Sequence, residues 1–319
     1  MRPRVLPTNR PDAYGGTHYR WLRTMENTRG SLFMVMAMAA FAVEDMFLKA
    51  AARETDIGVV LTYFGVGGAL MFMLLTWRRG EAVIDRAMLS RAVVIREICE
   101  MTGRVCYSLA IVLIPLSSTS AILQSAPLMV ILGAALIFGE NVGIRRWAAI
   151  AVGFVGVMMI IRPGLDAFDP ASLLAVIGTM GFAGRDLATR AASPVLSNVQ
   201  LGTCGFLVLI PSGILLQCFS DAAFARDSWS PAPATSAMIL GAMVVGVLAY
   251  NALTIAMRTG EVSAVTPFRY TRLLFAMILG MLVFGERPDL LTLVGSALIV
   301  VSGTYSLLLS RRRVRLQPS

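Results

Sequence analysis

The sequence predicts an all-α integral membrane protein of ten transmembrane helices, and three observations predict it. Hydrophobic residues make up 56% of the 319 residues and charged ones only 15%, with a mean hydropathy of +0.72. A soluble core of this size needs far more polar surface to cover it. The apolar runs are about twenty residues long, the length of a bilayer-spanning helix rather than the alternating stretch of about ten that makes a barrel strand. The breaks between runs, WRRGE, IPLSS, FGENVGIRR, RPGLD, SPVLSN, SDAAFARDS, RTGE and FGERPD, carry glycine, proline or paired charges, which are turn and helix-end signals.

Residues 1–29 are polar, with arginines at 2, 4, 10, 20, 23 and 29. Lacking an apolar core segment, this stretch is not a signal peptide and reads as a disordered cytoplasmic tail. Met25 opens MENTRG directly before the first apolar run and is an alternative start to Met1. Spans follow at 30–49, 57–77, 91–113, 118–138, 145–161, 170–190, 195–219, 234–257, 262–284 and 290–309, before a basic tail at 311–319. The net charge of +9 sits mostly in short segments between spans, so the arginines read as topology determinants facing anionic lipid, not as a nucleic-acid surface. With the N-terminus cytoplasmic, the inner segments hold Arg78, Arg79, Arg86, Arg91, Arg145, Arg146, Arg190, Arg258, Arg311, Arg312, Arg313 and Arg315. The outer ones hold only Arg53, Arg162, Arg226 and Arg287, with Lys49 at the border. This bias predicts both termini inside, which an even number of spans satisfies.

Cys99, Cys106, Cys204 and Cys218 all fall in apolar runs without a CxxC pair, and read as small buried hydrophobes with no disulfide framework or metal site. The single histidine, His18, lies in the polar tail, which argues against histidine metal ligation or a Ser–His triad in the membrane. No cofactor is implied.

The chain repeats itself. YSLAIVLIPLSSTSA (Tyr107–Ala121) and YNALTIAMRTGEVSA (Tyr250–Ala264) match at Tyr and Ser-Ala. Each leads into an apolar run ending in Phe-Gly-Glu, Phe138-Gly139-Glu140 and Phe284-Gly285-Glu286, and then into a glycine-dotted span with Gly153 and Gly156, or Gly295 and Gly303. The halves divide near residue 165, five spans each. Because five is odd, the second copy starts on the opposite side of the membrane from the first, an inverted repeat as in many secondary transporters.

Two five-span halves, each closing its fourth span with Gly-Glu, resemble the drug/metabolite transporter superfamily, EamA type. Asp45-x-x-x-Lys49, TPFRYTRLLFA and FGERPD are similar to one bacterial branch of it. The resemblance covers about residues 30–310 and implies two EamA-like five-helix repeats, 30–164 and 165–310, around a central cavity. It further implies alternating access and export or exchange of small metabolites such as amino acids across the bacterial inner membrane. A coupling proton or a counter-substrate would supply the drive. One departure stands out: where many members carry an arginine early in span two, TYFGVGG (Thr62–Gly68) has none.

The charges within spans are the candidate substrate-binding or gating residues. A charge at a helix centre costs about 2.5–3.5 kcal/mol on insertion scales, while each Leu, Ile, Phe or Val returns about 0.3–0.6 kcal/mol. Such groups must pair or face water. In span one, Asp45 and Lys49, the only lysine, are four apart with the acid first, the favoured order for a pair. The bland reading is that Lys49 snorkels to the interface and Asp45 neutralises it. Glu44 points about 100° away and has no local partner. In span three Arg96, Glu100 and Arg104 recur every fourth residue beside Glu97, forming either a salt-bridge latch or a substrate-facing stripe, with Arg104 the deepest. Gln124 with Pro127 in span four, Tyr250 and Asn251 in span eight, and Arg269, Tyr270 and Arg272 after Pro267 in span nine complete the set. Arg269 has no acid three or four residues away, so it must look to another helix, to water or to a ligand. Arg185 and Asp186 in span six read as interfacial anchors. Gly65, Gly67 and Gly68, and Gly178, Gly181 and Gly184, read as close-packing positions.

These residues are consistent with a secondary transporter of small polar or amphipathic metabolites. A multidrug efflux pump for hydrophobic compounds is the alternative, although arginine beside carboxylate suits a zwitterion better. A membrane-embedded enzyme is remote, because no HExxH, GxSxG or long aspartate-rich motif is present, and no Walker A sequence offers an ATP drive within this chain.

Overall fold

The computed structural model describes residues 15–139, 142–165, 168–191, 196–219, 229–259 and 265–315, with side chains except at 15–24, 190, 191, 258 and 310–315. Glu140, Ser263, Ala264, Arg226 and the tail before residue 15 lie outside the described residues. The described backbone is helical: α1 Gly15–Ala51, α2 Ile57–Arg78, α3 Arg91–Leu113, α4 Leu116–Leu123, α5 Ala126–Phe138, α6 Ile144–Ile161, α7 Ser172–Ala191, α8 Asn198–Leu207, α9 Leu209–Gln217, α10 Pro233–Thr259, α11 Thr271–Phe284 and α12 Leu290–Arg315. Short 3₁₀ turns at Arg86–Leu89 and Thr266–Tyr270 precede α3 and α11. Helix α1 begins well before the first apolar run, so residues 15–29, read from sequence as disordered, are helical. Likewise α12 runs on to Arg315 into the basic tail.

Local chemistry sets where the helices stop. α3 ends because Pro115 forces Ile114 into an extended conformation (φ −119°, ψ 168°). α5 and α11 both end at a glycine in the left-handed region, Gly139 (φ 64°) and Gly285 (φ 66°), where a side chain would be strained. α8 opens with a capping box: Ser197 Oγ accepts from Gln200 N at 3.2 Å, and Gln200 Oε1 accepts from Ser197 N at 2.8 Å. α6 ends at Arg162 (φ 56°), the one non-glycine residue with positive φ among the described residues. Its guanidinium pairs with Asp289 at the start of α12, which holds this uncommon conformation in place.

Among the described residues, eight segments are long and apolar enough to cross a membrane: Met25–Ala51, Ile57–Arg78, Leu116–Phe138, Ile144–Ile161, Asn198–Gln217, Pro233–Met257, Thr266–Phe284 and Leu290–Leu309. Two of these are broken, at Gln124–Ser125 between α4 and α5 and at Val208 between α8 and α9. α3 and α7, at 23 and 20 residues, have the length of spans but not the apolarity. The reason is chemical: α3 carries Arg96, Glu97, Glu100 and Arg104, and α7 carries Arg185 and Asp186.

These two charged helices pack along each other, α1 packs along α10 and α11, α6 along α12, and α2 along α8 and α9. Small residues let the backbones approach. A Cβ at Gly181 of α7 would stand 2.5 Å from the Gly103 nitrogen of α3, and one at Gly156 of α6 would stand 2.6 Å from the Gly295 oxygen of α12. Gly65 and Gly68 of α2 meet α8 and α9 in the same way. Phe64, Phe72 and Phe206 fill the centre of the α2–α8 contact, with ring centroids 5.2 and 5.3 Å apart. The four cysteines are free.

Two outcomes follow from this packing. Gly181→Val places a branched side chain against the α3 backbone, so thermal unfolding in detergent should show a loss of about 1–3 kcal/mol, the scale of overpacking. The Arg162 guanidinium beside Asp289 holds the Asp289 carboxyl at about 2, below its ordinary 3.8. A depressed value means that this contribution is present above pH 3.8 and lost as pH falls through about 2. The Tm difference between wild type and Asp289→Asn should therefore stay constant from about pH 7 to about pH 5, and narrow only below pH 3.8.

Candidate functional site

The helix-borne charges gather where α1, α3, α7 and α11 meet. Glu44 and Asp45 on α1 are 1% and 0% exposed. Glu44 Oε1 accepts from Arg104 Nη1 of α3 at 3.3 Å, and Arg104 Nε donates to Glu100 Oε1 one turn back, also at 3.3 Å. The other Glu100 oxygen accepts from Arg185 Nη1 of α7 at 2.9 Å, and Arg185 also holds Asp186 at 2.8 Å. Glu44, Arg104, Glu100, Arg185 and Asp186 thus form one chain of alternating sign across three helices. The Phe182 ring of α7 lies under both arginines, 5.8 Å from Arg104 and 5.2 Å from Arg185.

A second group sits beside it. Asp45 Oδ2 accepts from Arg272 Nη2 of α11 at 2.6 Å and from Tyr107 Oη of α3 at 3.1 Å. The Arg272 guanidinium lies 5.2 Å from the Phe41 ring and 5.9 Å from the Tyr107 ring. Asp45 Oδ1 and Arg272 Nε are buried and make no hydrogen bond to the described residues. An ion pair with an unused acceptor and an unused donor at its core can take up a polar guest that offers both.

Several expectations are corrected by this geometry. Asp45 and Lys49 do not pair: Asp45 turns to Arg272, and Lys49 Nζ reaches Glu286 Oε1 at 3.1 Å and the Ile114 carbonyl at 2.8 Å. Lys49 is 6% exposed, so it is held inside the protein rather than snorkelling. Glu44 is not without a partner, since Arg104 supplies one from another helix. Arg96 does not share Glu100; it pairs with its neighbour Glu97, and its Nε donates to Thr189 Oγ1 of α7 at 3.1 Å. Neither Arg96 nor Arg104 is left over. Arg185 and Asp186, partly exposed at 24% and 35%, join this chain of charges through Glu100 of α3. For Asp45, Lys49, Glu44 and Arg185 the deciding partner is on another chain segment, which spacing along one helix cannot reveal.

The remaining candidates stand apart from the two groups. Gln124, at the α4–α5 break, donates from Nε2 to the Arg269 carbonyl at 2.9 Å, which ties that break to the 3₁₀ turn before α11. The Arg269 side chain is half-buried and makes no ion pair among the described residues. Tyr270 Oη is buried without a hydrogen bond to the described residues. Tyr250 Oη donates to the Asn198 carbonyl at 2.8 Å, and its ring meets Phe72 edge-on at 5.0 Å. Asn251 Nδ2 turns to its own helix, donating to the Val247 carbonyl at 2.9 Å. Tyr107 and Glu286 were visible in the sequence only as marks of the repeat. The signals that point to them as ligands are that Tyr107 is one turn beyond Arg104, and that Glu286 is an acid set directly after a left-handed glycine.

Residues 28–162 and residues 170–308 each match the EamA-like transporter family. The chain is 28% identical to a riboflavin transporter of Rhizobium johnstonii, over 90% of this chain and 93% of that one. It is 28% identical to the pseudopaline exporter CntI of Pseudomonas aeruginosa, over 86% and 94%. It is 25% identical to an S-adenosylmethionine uptake transporter of Rickettsia bellii, over 69% and 73%. A crystal structure with 18% identity superposes with a TM-score of 0.60, over 91% of this chain and 99% of that one, which supports the fold. The chain is a multi-pass membrane protein that belongs to the EamA-like transporter family, within the drug/metabolite transporter superfamily.

Proposed function

We propose that the chain is a secondary transporter that moves a small polar or amphipathic metabolite bearing a carboxylate, amino acids among the candidates, by alternating access. The observation that carries this reading is the buried charge of α1, α3, α7 and α11, with Asp45 Oδ1 and Arg272 Nε unused at its centre. Charge this deep is costly unless it works. A zwitterion can exchange into such ion pairs without leaving any charge bare, whereas a hydrophobic drug cannot. S-adenosylmethionine, named as the cargo of one relative, carries the carboxylate and ammonium that these groups suit, whereas riboflavin, named as the cargo of another, is polar but has no carboxylate. The relatives' names include both export and uptake, so direction is set by the driving gradient, a coupling proton or a counter-substrate in this reading.

The same proposal has ten spans in two inverted repeats, residues 30–164 and 165–310, around a central cavity in the bacterial inner membrane, with both termini cytoplasmic. α3 and α7, the third and sixth spans in chain order, raise the eight apolar spans to ten, with their charges turned inward. Packing supports the repeat. Let α1, α2, α3, α4–α5 and α6 correspond to α7, α8–α9, α10, α11 and α12. The contact of α1 with α10 then maps onto that of α7 with α3, and the contact of α1 with α11 onto that of α7 with α4 and α5. The α2–α8/α9 and α6–α12 contacts map onto themselves. The paired family matches and the paired left-handed glycines agree with this division.

Arg269 offers the sharpest test, because its guanidinium has no anionic partner among the described residues. Lysine in its place keeps the charge and loses the bidentate geometry. In reconstituted vesicles given labelled amino acids, riboflavin or S-adenosylmethionine, Arg269→Lys should slow carboxylate-substrate flux several-fold. Arg269→Ala should abolish it in protein that still inserts. Wild-type flux in Arg269→Ala would remove Arg269 from substrate handling, and transport of hydrophobic dyes alone would favour drug efflux.

A further inference from the structure

At one end of the bundle α1, the start of α4 and the α11–α12 connection meet on a single carboxylate. Glu286, in the connection between α11 and α12, accepts from the backbone nitrogens of Leu116 at 2.6 Å and Ser117 at 3.0 Å, and from Ser117 Oγ at 2.8 Å. It also accepts from Lys49 Nζ of α1 at 3.1 Å, and that ammonium donates in turn to the Ile114 carbonyl at the end of α3. The Phe284 ring lies beneath, 5.2 Å from Lys49 Nζ and 4.5 Å from the Arg53 guanidinium. Room for the folded-back carboxylate comes from Gly280, where a Cβ would stand 2.5 Å from Glu286 Oε2. Beside it opens a cavity of about 300 Å³, lined in part by Ser117, Ser118, Arg162, Asp169 and Asp289.

The source of the cap is the informative feature. Two other helices that begin at this cavity are capped by an acid just ahead of them in sequence. Asp169 accepts from Ala171 N at 2.9 Å before α7, and Asp289 accepts from Thr292 N at 3.0 Å in α12. α4 follows Pro115, which has no capping side chain, and takes its cap from Glu286 across the bundle. A cap from a sequence neighbour travels with its helix. A cap from another helix is lost whenever the two segments part. α4 is also only eight residues long and ends at the Gln124–Ser125 break, so it can swing as a unit about that break.

We propose that Glu286 is a gating residue of transport: its carboxylate clamps α4 to α1 and to the α11–α12 connection, and this end of the pathway opens when Glu286 releases the α4 N-terminus and Lys49 together. The inference rests on the alternating-access reading and names one of its gates. It explains why a lone lysine and a Phe-Gly-Glu acid stand at opposite ends of the sequence yet share one site.

Ser120, on α4 one turn behind the clamp and 1% exposed, reports the opening. Ser120→Cys, in a chain with its four native cysteines replaced by alanine, is reacted with a polar maleimide in reconstituted vesicles. Glu286→Ala should speed labelling about tenfold, by shifting the closed population toward open. Gly280→Ala keeps every charge and disturbs only the seat of the carboxylate, so it should do the same, and it carries the test alone if Glu286→Ala does not fold. Asp169→Ala, which removes an in-sequence cap from the neighbouring helix, should leave labelling unchanged. Labelling in Gly280→Ala at the parent rate, or equal acceleration by Asp169→Ala, overturns the proposal. Because labelling needs no substrate, a failed gate is distinguishable from a failed transport reading, which flux in the parent protein measures.

Discussion

An ionised side chain inside an apolar helix bundle must find an opposite charge, and the arrangement of this protein follows from that constraint. Removing one member of a buried pair typically costs about 3–5 kcal/mol, because the other charge is stranded. α3 and α7 carry too much charge to face lipid, so they face each other, and glycines such as Gly103 and Gly181 let them come close enough for Arg185 to reach Glu100. α1 is then drawn in by Glu44 toward Arg104, and by Asp45 toward Arg272 of α11. No helix in this group is electrostatically complete by itself. The pairs also differ in strength: Arg272–Asp45 at 2.6 Å is short, whereas Arg104 stands 3.3 Å from each of two acids. A cation shared between two carboxylates at longer distance exchanges more readily than one committed to a single acid.

Breaks in the spans complement the charges. Backbone that leaves the helical ladder at membrane depth is tolerated where protein surrounds it. The Gln124–Ser125 break and the Thr266–Tyr270 turn meet through the Gln124–Arg269 carbonyl hydrogen bond. Pro127 and Pro267 lie at these two places, and neither has an N–H to give to a continuous helix. In the proposed alternating-access cycle, joints of this kind beside the ion pairs would serve as the places where segments tilt and charges trade partners. The end held by Glu286 has the opposite character, with four donors converging on one carboxylate.

Much of the fold was legible in the sequence, because apolar length and helix-ending chemistry are local properties. Pro115, Gly139 and Gly285 end helices where the sequence placed breaks. The partners of the charges were not legible. Asp45 and Lys49 satisfy every rule for a pair on one helix, yet each turns to a residue more than two hundred positions away. Helix rotation, set by the glycine seams, decides which face meets which neighbour, and no spacing along a single helix encodes it. Arg185 was misread for the same reason: its contact with Glu100 depends on how α7 meets α3. Glu286 was noticed as a repeated letter, while its role as a cap needs the distant Pro115–Leu116 helix start to be seen beside it.

The central claim is that the buried charges act as one unit in moving substrate, and a double-mutant cycle on transport tests it most directly. Glu44→Gln, Arg104→Gln and the double variant are compared with wild type by initial flux of labelled amino acids, riboflavin and S-adenosylmethionine into reconstituted vesicles. Groups that act together give non-additive losses, so the double variant should be no slower than the slower single variant. Losses that multiply would mean that Glu44 and Arg104 act independently, and would contradict a shared network.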